Sequence, residues 1–341
     1  MNDVIGDVDG WGDARVALAT VVDVKRSAPR PAGAKMAISD RGDITGAVSG
    51  GCVEGAVVEV ARQVLGGAPP RLVTYGIEDS EAWDVGLPCG GEITVWIQAG
   101  VDPGFADLAR QGGRGALVTD LESGERWLVS ADAAPGIPDA DVTAAAEELM
   151  WRERSELRTV GDRRYFIDAT YPAPRLFIVG AVDFARQVCR IARAMNWRPF
   201  VIDPRGVFAT AERFPEAEEV VAAWPQDGFA RLGIDRATAI AVLTHDPKID
   251  DAALLAALDS DAGYIGAMGS RRAQASRRER LLAHGAPESA LDRIAAPIGL
   301  DLGALTAEET ALSIMAEIVA VRHGHAGGRL GEAHGRIHDV G

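Results

Sequence analysis

The chain has 341 residues, enough for two ordinary domains, of which 47% are hydrophobic and 25% charged. Fifty acidic side chains against 35 basic ones give a net charge of −15, which disfavours nonspecific binding to nucleic acid or to an anionic membrane surface. No apolar run is long enough to span a bilayer, Met1 to Asp13 lacks the basic and apolar regions of a secretory signal, and three cysteines suit a reducing cytoplasm better than a disulfide framework.

Taken in order, Arg15–Val24 reads as a strand, and Lys35–Ser39 with Asp43–Val48 reads as a hairpin across Asp40-Arg41-Gly42. Gly50-Gly51-Cys52 then leads into a helix whose stripe is Val53, Val57, Val60 and Val64. Arg71–Thr74, Glu92–Ile97, Ala116–Asp120 and Arg126–Ser130 read as strands, Asp141–Glu153 as a helix, and the residues around Gly161-Asp162 as a further hairpin. This half is α+β. Tyr171-Pro172-Ala173-Pro174 is a stiff, non-helical connector, and it marks a domain boundary.

Beyond it, strands and helices alternate. Strands are expected at Arg175–Val179, Pro199–Ile202, Glu219–Ala222, Ala237–Leu243 and Ala262–Met268. Helices are expected at Phe184–Met195, at Asp251–Leu258 with Asp250 as N-cap, at Arg271–Leu282 and at Ala307–Arg322. Short apolar strands between helices predict parallel βαβ units, so the overall class is α/β, with a C-terminal Rossmann-like, doubly wound parallel sheet.

Two cysteines lie among glycines. One segment is Ser49-Gly50-Gly51-Cys52-Val53-Glu54-Gly55, and the other is Gly86-Leu87-Pro88-Cys89-Gly90-Gly91-Glu92. Glycine beside a thiol removes bulk and lets backbone amides approach whatever the sulfur holds. Cys52 also stands where the helix dipole favours a thiolate, and the amides of Gly50 and Gly51 are candidates for an anion-binding concavity around it. Cys52 and Cys89 without a CxxC or a neighbouring histidine do not make a zinc site, although a redox pair between them stays open. Cys189 falls on the apolar stripe of a helix and reads as a buried hydrophobe.

The second half offers four strand ends. Gly180-Ala181-Val182-Asp183-Phe184-Ala185 stands where a dinucleotide fingerprint belongs, but Val182 replaces the middle glycine and Asp183 adds negative charge, which argues against ordinary NAD(P) binding. Asp203 is either a ribose-binding carboxylate or a turn residue before Pro204. His245, in Thr244-His245-Asp246-Pro247, is either a proton donor and acceptor at the carboxyl edge or an incidental turn residue. Ser270 reads as an N-cap in Gly269-Ser270-Arg271-Arg272, with Arg271 and Arg272 making a phosphate site. Arg277, Arg278 and Arg280 continue the basic helix.

These segments occur in register with Pro297-Ile298-Gly299-Leu300-Asp301-Leu302-Gly303. The set resembles the XdhC/CoxI family, accessory proteins of molybdenum hydroxylases such as xanthine dehydrogenase and carbon monoxide dehydrogenase, over about Trp11 to Ile337. The resemblance implies a CoxI-like domain at residues 1–171 and a Rossmann-like XdhC domain at 172–341. It implies binding of the molybdenum cofactor, as molybdopterin or its dinucleotide form, and protection of it while a cysteine desulfurase supplies a sulfido ligand. Delivery to the molybdenum hydroxylase apo-enzyme and a homodimeric state are implied as well. By the same resemblance Cys52 is the cofactor-contacting thiolate and metal ligand. Gly50, Gly51, Glu54, Cys89, Gly90 and Gly91 stand around the cofactor in the first half, with Gly180, Asp203, His245, Gly269, Ser270, Arg271 and Arg272 in the second. A soft thiolate suits molybdenum, and glycines admit a bulky pterin. Two other readings compete: an NAD(P)-dependent oxidoreductase using His245 and Asp203, and a thiol-redox protein using Cys52 and Cys89.

Overall fold

A computed structural model describes residues 1, 3–25, 29–76, 91–130, 136–137 and 139–332. The chain divides into two compact units, Met1–Pro172 and Ala173–Ala333.

The first unit runs α1 (Ile5–Gly10), β1 (Val16–Lys25), β2 (Lys35–Ser39), β3 (Ile44–Gly46), α2 (Glu54–Leu65), β4 (Arg71–Tyr75), β5 (Glu92–Ala99) and α3 (Pro103–Arg110). It continues through β6 (Gly115–Asp120), β7 (Arg126–Ser130), α4 (Ala140–Arg152), β8 (Glu156–Val160) and β9 (Arg163–Thr170). Two antiparallel sheets result, ordered β3-β2-β1-β5-β4 and β7-β6-β9-β8. Helix α2 lays Val57, Ala61, Val64 and Leu65 on the first sheet, and α4 lays Val142, Ala146, Leu149 and Met150 on the second. Between the sheets lies an ion pair that the sequence does not announce. Lys35 of β2 is 1% exposed, and its Nζ donates to Asp168 Oδ1 of β9 at 2.7 Å. The same ammonium donates to Gly33 O at 2.8 Å, and Ser155 Oγ adds a donor to Asp168 at 3.2 Å. A buried charge is tolerated only with such partners.

The second unit runs β10 (Arg175–Val179), α5 (Asp183–Ala194), β11 (Arg198–Ile202), β12 (Glu219–Val221), α6 (Pro225–Leu232), β13 (Thr238–Val242) and α7 (Pro247–Leu258). It ends with β14 (Tyr264–Ala267), α8 (Arg271–Ala283), α9 (Glu288–Leu291), β15 (Ile294–Ala295) and α10 (Ala307–Arg322). All six strands are parallel, in the order β12-β11-β10-β13-β14-β15. Relabelled within the unit, that order is the 3-2-1-4-5-6 of a dinucleotide-binding sheet, with its switch point between β10 and β13. One face packs against α5 and α10 through residues such as Val188, Ile314 and Ile318. The other packs against α6, α7 and α8 through Phe229, Leu254 and Leu281. Cys189 is fully buried in the first of these layers, and burial pushes its thiol up to about 12, as expected of a structural cysteine.

Helix α7 corrects the sequence reading. It begins at Pro247 rather than Asp251, and its N-cap is Asp246, whose carboxylate accepts from the Lys248 N–H at 3.0 Å. Pro247 is the first helical residue, where its missing N–H costs nothing. Helices α3 and α6 start on prolines in the same way, behind Asp102 and Trp224. Among the described residues no helix is long and apolar enough to cross a membrane.

Candidate functional site

In the first unit Gly50, Gly51, Cys52 and Glu54 fall within one turn and the start of α2. Gly50 and Gly51 have φ of +93° and +123°, a region that favours glycine, and they swing the chain from Val48 into α2. The concavity they form is occupied, although not by the cysteine. Glu54 Oε1 accepts the N–H groups of Val48, Ser49 and Gly50 at 3.2, 2.8 and 2.9 Å. Its Oε2 accepts those of Gly51 and Val53 at 2.8 and 3.2 Å, and the Ser49 hydroxyl at 2.6 Å. Partial burial pushes the pKa of this carboxyl up, but the Ser49 hydroxyl and the amides outweigh it and hold the value down to about 2. The expected anion nest around Cys52 is therefore corrected: its anion is Glu54.

Cys52 follows this turn; it is a free cysteine, partly buried and packed against the core that α2 forms with the first sheet. Its N–H donates to Ser49 Oγ at 3.0 Å, which fixes the backbone under the sulfur. Among the described residues, a Cβ built on Gly51 or on Gly55 meets no atom within 4 Å, and one on Gly50 meets only Pro29, at 3.8 Å. The glycines on either side of the thiol thus have no close neighbour among the described residues. Gly91 is buried at the start of β5. Cys89 and Gly90 lie outside the described residues. Among those described, no group of three or more His, Cys, Asp or Glu side chains is placed to hold a metal ion. Cys52 offers a single soft sulfur donor at this turn.

In the second unit four strand ends gather at the carboxyl edge. Gly180 has φ of +111°, and a Cβ there would meet Thr244 Cγ2 at 2.6 Å, so the turns after β10 and β13 touch across the switch point. Asp203 is fully buried. Its Oδ2 accepts the Ala181 N–H and Arg205 Nη2, both at 2.7 Å, while its Oδ1 accepts Arg205 N and Nε at 2.8 and 2.9 Å. Burial pushes its pKa up, but the Arg205 guanidinium and these amides overcome that and hold it below the ordinary carboxylate range. Of the two readings of Asp203, the geometry favours the turn residue, since the carboxylate is spent inside the protein.

His245 is exposed on the next turn. Beneath it Thr244 Oγ1 donates to Asp250 Oδ1 at 2.8 Å and accepts the Asp246 N–H at 2.9 Å. Asp250 is thus no N-cap. It is buried within α7, where Arg277 of α8 donates to its Oδ2 at 3.0 Å. Arg277 also donates to Met268 O at 2.8 Å, so one buried guanidinium braces the turns after β13 and β14 together. Burial raises the Asp250 carboxyl, against the pull of Thr244 and Arg277. Ser270 caps α8 as expected, accepting the Ala273 N–H at 3.2 Å, and Gly269 packs tightly on that turn. The basic helix, however, is mostly neutralised. Arg280 grips Asp251 at 2.6 and 2.9 Å, and Arg278 reaches Glu288 and Asp292 at 3.1 and 3.5 Å. Arg271 and Arg272 are exposed and make no side-chain bond among the described residues.

Comparison with known proteins places these features in context. Residues 12–76, which contain the Cys52 turn, match a model described as the XdhC and CoxI family. Residues 176–318, which contain the carboxyl edge, match one described as the XdhC Rossmann domain. A Bacillus subtilis (strain 168) protein, named as a probable xanthine dehydrogenase subunit, is 28% identical over 317 residues, covering 89% of this chain and 92% of its own. The molybdenum cofactor insertion chaperone PaoD of Escherichia coli (strain K12) is 29% identical over 307 residues, covering 89% of this chain and 83% of its own. A solved Bacillus halodurans structure described as a xanthine dehydrogenase superposes with a TM-score of 0.69, at 24% identity and covering 97% of each chain, so it shares the fold.

Proposed function

The chain belongs to the XdhC and CoxI family, and from that premise we propose that it holds the molybdenum cofactor, supports its sulfuration and passes it to a molybdenum hydroxylase apo-enzyme. The observation that carries this reading is the partly buried, free Cys52 standing between glycines that have no close neighbour among the described residues. When bound, the cofactor supplies the molybdenum centre together with a phosphate-bearing pterin. Cys52 is the group that contacts it. Ser49 and Glu54 hold the turn that presents the sulfur, and the turn stays shaped without a ligand because its N–H groups are already satisfied. In the second unit Arg271 and Arg272, not engaged by any acid among the described residues, are the side chains suited to a phosphate. A cysteine desulfurase and the apo-hydroxylase are the partners this role calls for, with the chain acting as a homodimer. An oxidoreductase reading has less support, because Asp203 is taken by Ala181 and Arg205.

The test is mass and fluorescence analysis of the chain purified from cells that make the pterin. The expected outcome is stoichiometric pterin on the wild-type chain, with most of it lost from Cys52→Ala. Full retention by Cys52→Ala would overturn the role given to the sulfur.

A further inference from the structure

The cofactor role leaves the segment that follows α10 unused, and that segment is rich in imidazole. Of the six histidines in the chain, His323, His325, His334 and His338 fall within it. A short tract of this composition suits metal binding, because neutral imidazole is a ready ligand for divalent transition metals. His334 and His338 lie outside the described residues, and the structure describes the first two. His323 is the C-cap of α10, Gly324 follows with φ of +72°, in the left-handed region, and His325 comes next. The Gly324 N–H donates to Val321 O at 3.0 Å, and the His325 N–H donates to Ala320 O at 2.8 Å. These two crossed bonds are the Schellman arrangement, and they fix the backbone of both histidines. Residues two apart have Cα atoms no more than about 7 Å from each other, so both rings can reach one ion.

The chain is pinned after the pair as well as before it. A Cβ built on Gly327 would meet Leu300 Cδ1 at 2.7 Å. Leu300 is itself tied to α10, since its carbonyl accepts the Ser313 hydroxyl and its N–H donates to Ser313 O at 3.2 Å. Both histidines are exposed, so an ion reaches them from solvent. The local field favours a cation, because α10 is 16 residues long and its negative end lies at His323. The neighbouring cationic side chain, Arg322, is drawn over the Trp197 ring, 5.0 Å from its centroid. Imidazole nitrogen selects zinc, nickel or copper over magnesium, which prefers oxygen. We propose that His323 and His325 form a surface site for a divalent transition-metal ion of this class, with the other positions on the ion left to water or to further donors. The inference goes beyond the cofactor role and does not depend on Cys52.

The test is calorimetric titration of the full-length chain with nickel chloride and, separately, with magnesium chloride. Nickel is expected to bind saturably, and magnesium more weakly by about tenfold or more. His323→Ala and His325→Ala should each weaken nickel binding by about tenfold or more, and the double variant further still. His284→Ala, which removes an exposed imidazole elsewhere, should bind as the wild type does. Cys52→Ala should also bind as the wild type does, which separates this site from the sulfur of the cofactor role. Circular dichroism shows whether each variant is folded. Should a histidine variant fail to fold, the wild type reports the same contact: nickel should protect His323 and His325 from acylation by diethyl pyrocarbonate, read by peptide mass, and leave His284 reactive. Absence of saturable nickel binding overturns the proposal. So does nickel binding left unchanged by the folded double variant, binding lost in Cys52→Ala, or magnesium binding as tightly as nickel.

Discussion

Each unit carries a glycine turn that leads into a helix, and each turn closes on a carboxylate of its own chain. In the first, Glu54 collects five backbone N–H groups and a hydroxyl near the surface. In the second, buried Asp203 takes one loop amide and is itself clamped by Arg205. The difference lies in what surrounds the glycines. Gly51 has no close neighbour among the described residues, whereas Gly180 is wedged against Thr244 of the neighbouring strand end. One turn is exposed and uncrowded among the described residues, and the other is a packing joint between strands.

Identical substitutions should therefore separate the two turns. Gly180→Ala meets both a left-handed φ of +111° and a contact of 2.6 Å with Thr244, and should cost about 3 kcal/mol. Among the described residues Gly51→Ala meets only an unfavourable φ of +123°, and should cost about 1 kcal/mol. Thermal unfolding of both variants measures the contrast. Equal losses would mean that the two turns are constrained in the same way.

The carboxylates give the next effect. Glu54→Gln retains one acceptor oxygen for a cluster of donors, and should cost about 2 kcal/mol once solvent screening at this half-buried position is allowed for. The pH dependence has a definite sign. A carboxyl held down to about 2, against an ordinary 4.5, contributes stability that is fully present above about 4.5 and is lost as pH falls through the folded value. Melting temperature should therefore drop more steeply between pH 4.5 and pH 2 in the wild type than in Glu54→Gln. Parallel curves would show that the turn does not depend on that charge.

The parts of the fold that are legible in the sequence are those with a repeating pattern. The stripe of Val57 and Val64 marks α2, and the apolar runs at Phe177 and Ile240 mark the centre of the parallel sheet. Where one residue type serves two purposes, the pattern misleads. The pattern puts the cap of α7 at Asp250, one turn late, because it does not show that Asp250 is buried under Thr244 and that Asp246 caps the helix instead. Lys35 sits in a run that periodicity would place on a half-exposed strand, and its partner Asp168 is 133 residues away. Glu54 reads as a ligand-side residue only because its neighbours do. The signal for its actual role is Ser49, a helix-capping residue type just ahead of the glycines.

The smallest expected effect concerns the basic helix α8, where sequence alone treats five arginines alike. Arg277 is buried on Asp250, Arg280 grips Asp251, and Arg278 lies between Glu288 and Asp292. Arg271 and Arg272 remain exposed at the first turn, where a cation faces the positive end of the helix and gains nothing from it. Their joint replacement, Arg271→Gln with Arg272→Gln, should leave unfolding within about 0.5 kcal/mol of the wild type. The same double variant should hold less pterin than the wild type when purified from cells that make it. A helix retained for stability would show the opposite, with unfolding disturbed and pterin unchanged. The pair thus isolates charge kept for a ligand from charge kept for the fold.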